Sequence, residues 1–370
     1  MSAVRRFLLA RRRSTSPEFL PDRDNAPGTL ARSPPAEQNA ADGRIHLNVL
    51  GIDVGGTKVA VAQVADGAVT DSVEHPTALG SADELLAGIE AAVAELTART
   101  GPPDAIGVGV PSQCEFATGR VVTSVNIPLA GVPLRERLGG ALGAPVFVDN
   151  DANVAALAEA ERGGVANLVM LTLGTGVGGG IVIGGRLFRG ATGLGAELGH
   201  VVIHGDGPAC PGSCPNRGCL EAFCSGTALE RDATEAATDR PDSRLGRAAG
   251  EDGRVSGREA VAAAQEGDPE ALRIFDELGR NLGIGIASMV NVFEPEQVLL
   301  GGGASRAADL FIERAKSEAA ARALPALFAN VEIALARGGA DAGVLGAAAL
   351  AAQEAERLET TPATPSEGNR

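Results

Sequence analysis

The 370-residue sequence has neither tryptophan nor tyrosine, so any aromatic stacking surface must come from its ten phenylalanines. Cysteine is scarce, with five in all, and three of them fall in one short segment. No stretch approaches the ~18 consecutive apolar residues of a membrane-spanning helix. Positive charge is also short: the formal net charge is −15 and the isoelectric point about 4.8. That is the wrong sign for a nucleic-acid-binding surface, although backbone amides could still bind a phosphate locally. Glycine is abundant, at 50 residues, and the 44% hydrophobic content suffices for the cores of two domains.

Residues 1–45 are rich in Arg, Ser and Pro, lack lysine and show no sustained period. They read as a disordered extension, since the apolar piece Phe7–Ala10 is too short for a signal-peptide core. The tail 357–370 reads the same way, and a cytoplasmic location is expected. Between them, "LNVLGIDVGGTKVAVAQV" forms a strand (Leu47 to Ile52), a glycine turn and a second strand (Val59 to Val64). Asp66-Gly67 supplies a tight turn into a third. In "SADELLAGIEAAVAELTART", Ser81 and Glu84 have capping-box spacing. Leu85, Leu86, Ile89, Ala92, Val93 and Leu96 make the apolar stripe of a helix. The buried strand "AIGVGVP" follows, then "PVFVDND". From Asn167, "NLVMLTLGTGVGGGIVIGGRLF" repeats the strand, glycine-turn, strand design. Two such units predict two similar α/β domains around a cleft. The expected small domain spans 46–155 plus a closing helix 340–356, and the large domain spans 156–339.

Each glycine turn carries a threonine. Glycine lets the backbone turn and brings N–H groups close to an anion, and the hydroxyl adds a donor. In the first turn Gly55, Gly56 and Thr57 are the candidates. Asp53 at the strand's end could hold magnesium through water, and Lys58 points either to phosphate or to solvent. The second turn offers Gly174, Thr175 and Gly176, and "LLGGG" adds Gly301, Gly302 and Gly303. Neither turn is a Walker A loop, for no GxxxxGK[ST] occurs, and each leads into a strand where a dinucleotide fingerprint would lead into a helix.

In "VFVDNDANVAALAEA" a strand ends in Asp149, Asn150 and Asp151 and a helix begins. A carboxylate there can accept a hydroxyl proton during phosphoryl transfer, while the same spacing also suits Asn150 or Asp151 as a helix N-cap. The cysteines Cys210-x3-Cys214-x4-Cys219, with a histidine ahead of them, provide the four ligands of a closed structural zinc site. His200 and His204 have the same strand parity, and spacing alone does not choose between them. Cys114 and Cys224 read as free thiols.

The chain from about Leu47 to Ala352 resembles the ROK family of sugar kinases, within the actin-like, hexokinase-type ATPase fold. The resemblance rests on "GIDVGGTK", "SVNIP", "VDNDANVAALAE", "LGTGVGGG", "GAELGH", "CPNRGCLE" and "LLGGG", which occur in the family's order. It implies that Asp151 is the general base and Asn150 a sugar ligand, with Asn126, Glu197, His200 and Glu221 completing the sugar contacts. It also selects His200 as the fourth ligand of a zinc loop spanning 200–219. With no Trp or Tyr, polar recognition of sugar hydroxyls fits better than stacking. Two departures stand out. Ser112, followed by "QCEF", occupies a position where the family usually has glycine, and two more residues separate Cys210 from Cys214 than in the usual Cys-x-Cys.

The resemblance implies an ATP- and Mg²⁺-dependent hexose kinase with structural Zn²⁺, most simply a glucokinase. Mannose, N-acetylated hexosamines and fructose are other substrates to weigh, and polyphosphate another donor. By family habit it would be a homodimer or higher homo-oligomer. A sugar-responsive ROK repressor would need a helix–turn–helix, which the Pro/Ser/Arg-rich start does not provide. A non-catalytic actin-like scaffold would have no use for Asp151 and its sugar set. Because neither glycine turn belongs to the cysteine loop, metal loss is expected to weaken sugar binding more than ATP binding.

Overall fold

The computed structural model describes residues 47–212 and 214–360. The expected disordered extension 1–45 and the tail beyond Thr360 lie outside the described residues. The first sheet holds β1 (Val49–Val54), β2 (Lys58–Ala65), β3 (Ala68–Pro76), β4 (Ala105–Val110) and β7 (Val146–Asn150), in the order β3-β2-β1-β4-β7. The short hairpin β5 (Ser112–Glu115) and β6 (Arg120–Ser124) projects beside it. The second sheet repeats the pattern as β10-β9-β8-β11-β12, from β8 (Leu168–Leu173), β9 (Val177–Ile183), β10 (Arg186–Leu187), β11 (Gln297–Gly301) and β12 (Glu332–Leu335). In both, the glycine turn joins an antiparallel pair and the later strands add in parallel. The sequence repeat is therefore a structural one, and the architecture is the actin-like, hexokinase-type α/β fold.

Local rules account for most elements. Asp66 and Gly67 both have positive φ, 52° and 73°, as the two-residue turn between β2 and β3 demands. Helix α1 (Ala82–Thr100) buries the six stripe residues of the sequence pattern. Full burial of Leu85, Leu86, Ile89 and Leu96 contributes roughly 6–12 kcal/mol before entropy is charged. Ser81 accepts a hydrogen bond from the Glu84 N–H at 3.2 Å, which is the side-chain-to-backbone half of a capping box. With α2 (Leu134–Leu142), α1 closes the outer face of the first sheet around one apolar cluster. Helices α4 (Gly226–Asp239), α5 (Gly257–Gln265) and α6 (Pro269–Phe293) do the same for the second.

Between the sheets lie α3 (Asp151–Gly163) and α7 (Ala342–Thr360). Their shared core takes Val49 and Phe147 from the first sheet, Met170 and Leu299 from the second, and Val154 and Val344 from the helices. Backbone meets backbone here. A methyl on Gly107 of β4 would overlap the Ala347 carbonyl oxygen of α7, and one on Gly346 of α7 would overlap the Val154 carbonyl oxygen of α3. Two boundaries differ from the sequence expectation. The division at 155 cuts α3, which runs unbroken to Gly163 and packs on β9, where Gly180 lies against the Ala152 carbonyl oxygen. The closing helix runs from Ala342 to Thr360 and not from 340 to 356, so 357–360 are helix and not tail; Arg357 pairs with Glu354 a turn earlier at 2.8 Å and Thr360 Oγ1 donates to the Glu356 carbonyl at 3.0 Å.

Gly346→Ala is expected to destabilise the protein by about 1–3 kcal/mol, the usual cost of overpacking a close contact. Urea unfolding of the two proteins checks this; an unchanged midpoint would mean the helices part without cost.

Candidate active site

Strand β7 ends at Asn150, and its side-chain oxygen accepts from the N–H groups of Ala152 and Asn153 at 2.9 and 3.3 Å. Asn150 is thus the N-cap of α3, and its Nδ2 donates to the Ser112 carbonyl at 3.3 Å. Asp151 follows in the first turn, where Oδ1 accepts from the Ala152 N–H at 2.8 Å. Burial pushes the Asp151 carboxyl up to about 6; the Ala152 hydrogen bond offsets part of this and the charge of Asp53 adds to it. Asp53, at the end of β1 and packed over Gly343 at the start of α7, is itself raised by burial, with Lys58 pulling the other way. Two half-buried carboxylates, both raised by burial and one of them further by the other's charge, are a setting that a cation would relieve.

Asp149 has a different environment. It is 2% exposed and accepts from Asn153 Nδ2 at 2.8 Å and from Arg189 Nε at 2.5 Å. Arg189 stacks 3.7 Å from the Phe116 ring centre and lies 3.9 Å from Glu354. Nothing in the local sequence announces Arg189. Also unannounced is Glu159 of α3, whose buried carboxylate accepts from the Arg337 N–H at 2.9 Å and from the Gly338 N–H, anchoring the loop that leads into α7.

The second glycine turn opens onto a cavity of about 790 Å³ between α4, α5, α6 and the segment after β11. Gly174, Thr175 and Gly303 stand at the turn end, Leu229, Val261 and Phe311 give apolar walls, and Arg258 and Arg306 add positive charge. Gly302, with φ 84°, lets the chain cross Leu173, while Gly301 is buried within β11 against Met170, away from the cavity lining. The first turn, Gly55-Gly56-Thr57, is held by Gly55 N–H to the Lys58 carbonyl and by Thr77 Oγ1 to the Gly55 carbonyl, at 2.9 and 2.7 Å. Lys58 is exposed and pairs with Glu74 across β2 and β3, which directs its ammonium to solvent.

Residues 201–203 run antiparallel to 218–220, with Val202 opposite Cys219, so the register brings His200 alongside Glu221. Ligand atoms of His200, Cys210, Cys214 and Cys219 all lie within 4.8 Å of one another, and His200 Nδ1 is 3.4 Å from Cys210 Sγ. Three thiols and an imidazole gathered this closely fit a tetrahedral zinc ion. Burial pushes the Cys210 and Cys219 thiols up, a cost that a bound cation removes by taking them as thiolates. The longer Cys210–Cys214 spacing is absorbed in a small hairpin, closed by Cys210 N–H to the Asn216 carbonyl and Gly218 N–H to the Pro208 carbonyl. His204 instead bonds Asn281 at 3.0 Å and sits edge-on to Phe223. Cys114 and Cys224 are buried and outside the cluster; burial raises both thiols, Cys114 to about 12.

Glu221 joins this cluster to the second glycine turn. Its Oε2 accepts from the Val177 N–H at 2.8 Å, and its Oε1 accepts from Cys210 Sγ at 3.6 Å. Cysteine loop and second glycine turn, separate in sequence, thus share a carboxylate, which bears on the expectation that metal loss weakens sugar binding more than ATP binding. Glu197, exposed and preceded by Ala196 with φ 68°, lies in an inverse γ-turn (φ −73°, ψ 64°) closed by Leu198 N–H to the Ala196 carbonyl. An alanine in the left-handed region costs on the order of 1 kcal/mol, a strain that sequence reading did not detect. Asn126 is exposed in the turn after β6, beside Val125 at 93% exposure.

The sequence pattern of the ROK family matches residues 49–354. The chain belongs to the ROK family. A glucokinase of Halalkalibacterium halodurans is 35% identical over 326 residues, covering 84% of this chain and 96% of the relative. The ROK hexokinase of Thermus thermophilus superposes with a TM-score of 0.73 at 36% identity, over 84% of this chain and 100% of its own. A ROK glucokinase of Streptomyces griseus, solved with glucose and AMPPNP, gives 0.64 at 33%, over 83% of this chain and 99% of its own. Other ROK relatives, at 33% and 36% identity, bear the names N-acetylmannosamine kinase and xylose repressor, so membership leaves the sugar open.

For this ROK protein, Cys219→Ala is expected to abolish stoichiometric zinc, from about one per chain to near none. Through Glu221 it should also weaken binding of a non-hydrolysable ATP analogue several-fold. Elemental analysis and calorimetry measure the two; a zinc-free variant with unchanged nucleotide affinity would disprove the coupling.

Proposed function

We propose that this protein is an ATP-dependent hexose kinase that phosphorylates the 6-hydroxyl of glucose. The observation that carries the reading is Asp151: a half-buried carboxylate at a helix start, with no ion pair among the described residues, raised to about 6, beside Asp53. The 790 Å³ cavity that runs from the second glycine turn has the size and apolar walls for a nucleoside, which favours ATP over polyphosphate. The glucokinase and hexokinase relatives support a hexose acceptor, and the complex with glucose and AMPPNP supports the pairing of sugar with nucleotide.

In this reading Asp151 accepts the 6-hydroxyl proton as that oxygen forms its bond to the γ-phosphorus and the bond to the β,γ-bridging oxygen breaks, releasing ADP. The amides of the two glycine turns bind the phosphates from either side of the cleft. Mg²⁺ bound with ATP would neutralise phosphate charge, and Asp53 is the residue to hold it, directly or through water. Asn126, Asn150, Glu197, His200 and Glu221 supply polar contacts to the sugar. His200 can do so through Nε2 while Nδ1 faces the cysteines. Glu221 divides its oxygens between the Val177 amide and Cys210, so its part in sugar binding is tied to the turn and the metal loop. The zinc held by the three cysteines and His200 would keep these side chains in register.

A coupled assay over a panel of hexoses tests the reading, with glucose expected to give the highest kcat/KM. Asp151→Asn should retain sugar and ATP binding while kcat falls at least ~10²-fold; turnover near that of the wild type would move the base elsewhere. The pH dependence follows from the raised carboxyl. Below about 6 Asp151 is protonated and cannot accept the hydroxyl proton, so kcat/KM should fall on the acid side with a midpoint near 6. The same group contributes oppositely to folding: its folded-state affinity for the proton exceeds the unfolded one, so its contribution to stability is present at low pH and lost as pH rises from 3.8 to about 6.

A further inference from the structure

Ser112, which stands where ROK proteins usually have glycine, opens the β5–β6 hairpin at the mouth of the cleft. Its hydroxyl donates to Ser124 Oγ at 2.9 Å, Ser124 Oγ donates to the Ile127 carbonyl at 2.7 Å, and the Ser112 carbonyl receives Asn150 Nδ2. The hairpin is thereby tied to the cap of α3 and to the Asn126 turn. From this base Gln113 reaches across the cleft. Its Nε2 donates to Glu197 Oε1 at 2.7 Å, and its Oε1 accepts from Thr123 Oγ1 at 2.9 Å. With both ends of the amide engaged, its orientation is determined by the network. Among the described residues, Gln113 supplies the only side-chain hydrogen bond to the Glu197 carboxylate.

We infer that Gln113 is a positioning residue that aims the Glu197 carboxylate at the hexose and so takes part in discriminating among hexoses; this rests on the hexose-kinase reading above. The backbone around Glu197 is already constrained by the inverse γ-turn and the left-handed Ala196, which determine where the side chain starts. Gln113 determines where it ends. A neutral amide donor leaves the carboxylate charged and leaves Oε2 to accept from a sugar hydroxyl. A carboxylate held in one direction separates epimers, because a hydroxyl of the other configuration leaves it unpaired. The hairpin belongs with the first sheet and Glu197 with the second, so this contact also requires the two halves to be at their proper separation.

The test uses the full chain, with Gln113→Met, which keeps length and removes both polar ends. Glu197→Asp withdraws the carboxylate from Gln113, and the third protein carries both changes. For Gln113→Met the hexose KM should rise roughly 5- to 10-fold, the scale of one charge-assisted hydrogen bond at a partly exposed site. Its kcat and ATP KM should stay within about twofold, and the kcat/KM ratio between the best and second-best hexose should narrow. Because Gln113 acts through Glu197, the double variant should be no worse than Glu197→Asp alone. An unchanged hexose KM in Gln113→Met, an unchanged hexose ratio, or additive effects in the double variant would overturn the inference while leaving the kinase reading intact. If the wild type phosphorylates no hexose, that reading fails and this inference with it.

Discussion

The contact on which the rest depends is the backbone-to-backbone stacking of α7 against β4 and α3. At Gly107 and Gly346 the chains approach so closely that no side chain fits between them. Packing this dense has little give, so the two sheets are related through a stiff pair of helices. The chemistry is mounted on that pair. Asp151 occupies the first turn of α3, Glu159 in its later turns holds the loop entering α7, and Asp53 rests on Gly343 in the first turn of α7. A displacement of either helix would move the candidate base, its neighbouring carboxylate and the loop together.

Two carboxylates, two residues apart on the same strand-to-helix junction, show how partner sets divide labour. Asp149 is fully buried but receives Arg189, Asn153 and the Asn150 amide, so its charge is met inside the protein. Asp151 is also largely removed from water and is met by neutral donors, the Ala152 N–H and the Asn150 amide among them, while Asp53 repels it. Desolvation without an opposite charge is what raises a carboxyl toward neutrality, the range where a general base operates. The strand-to-helix junction supplies the difference, since Asp149 is still in β7 whereas Asp151 already lies in the first turn of α3. Arg189, from the segment after β10, completes it by bringing a cation to one side only.

The cysteine cluster touches the candidate site through Glu221. Antiparallel pairing of 201–203 with 218–220 places His200 and Glu221 side by side, and the cysteines hold that pairing shut. Glu221 then carries the arrangement to the Val177 amide in the second glycine turn. His200, the cysteines, Glu221 and the second glycine turn thus form a continuous polar chain through the candidate site.

The sequence by itself determined what short-range chemistry can determine. The strand–turn–strand units, the Asp66-Gly67 turn, the stripe of α1, a helix cap at Asn150 or Asp151 and the clustering of thiols all depend on residues within a turn or two of one another. Fold class and family followed from their order along the chain. Choices between partners distant in sequence were left to the tertiary structure. Lys58 could face phosphate or solvent until the β2–β3 register set Glu74 beside it. Spacing could not separate His200 from His204 until Asn281 of α6 engaged the latter. The three glycines at the end of β11 look equivalent as letters, yet one is buried in the strand and one lines the cavity. Gln113 and Arg189, which meet Glu197 and Asp149 across the cleft, carry no local signature, because their geometry depends on how the two sheets are stacked. Periodicity and turn chemistry are written along the chain, whereas contacts between the halves exist only once the glycine-lined helices have closed together.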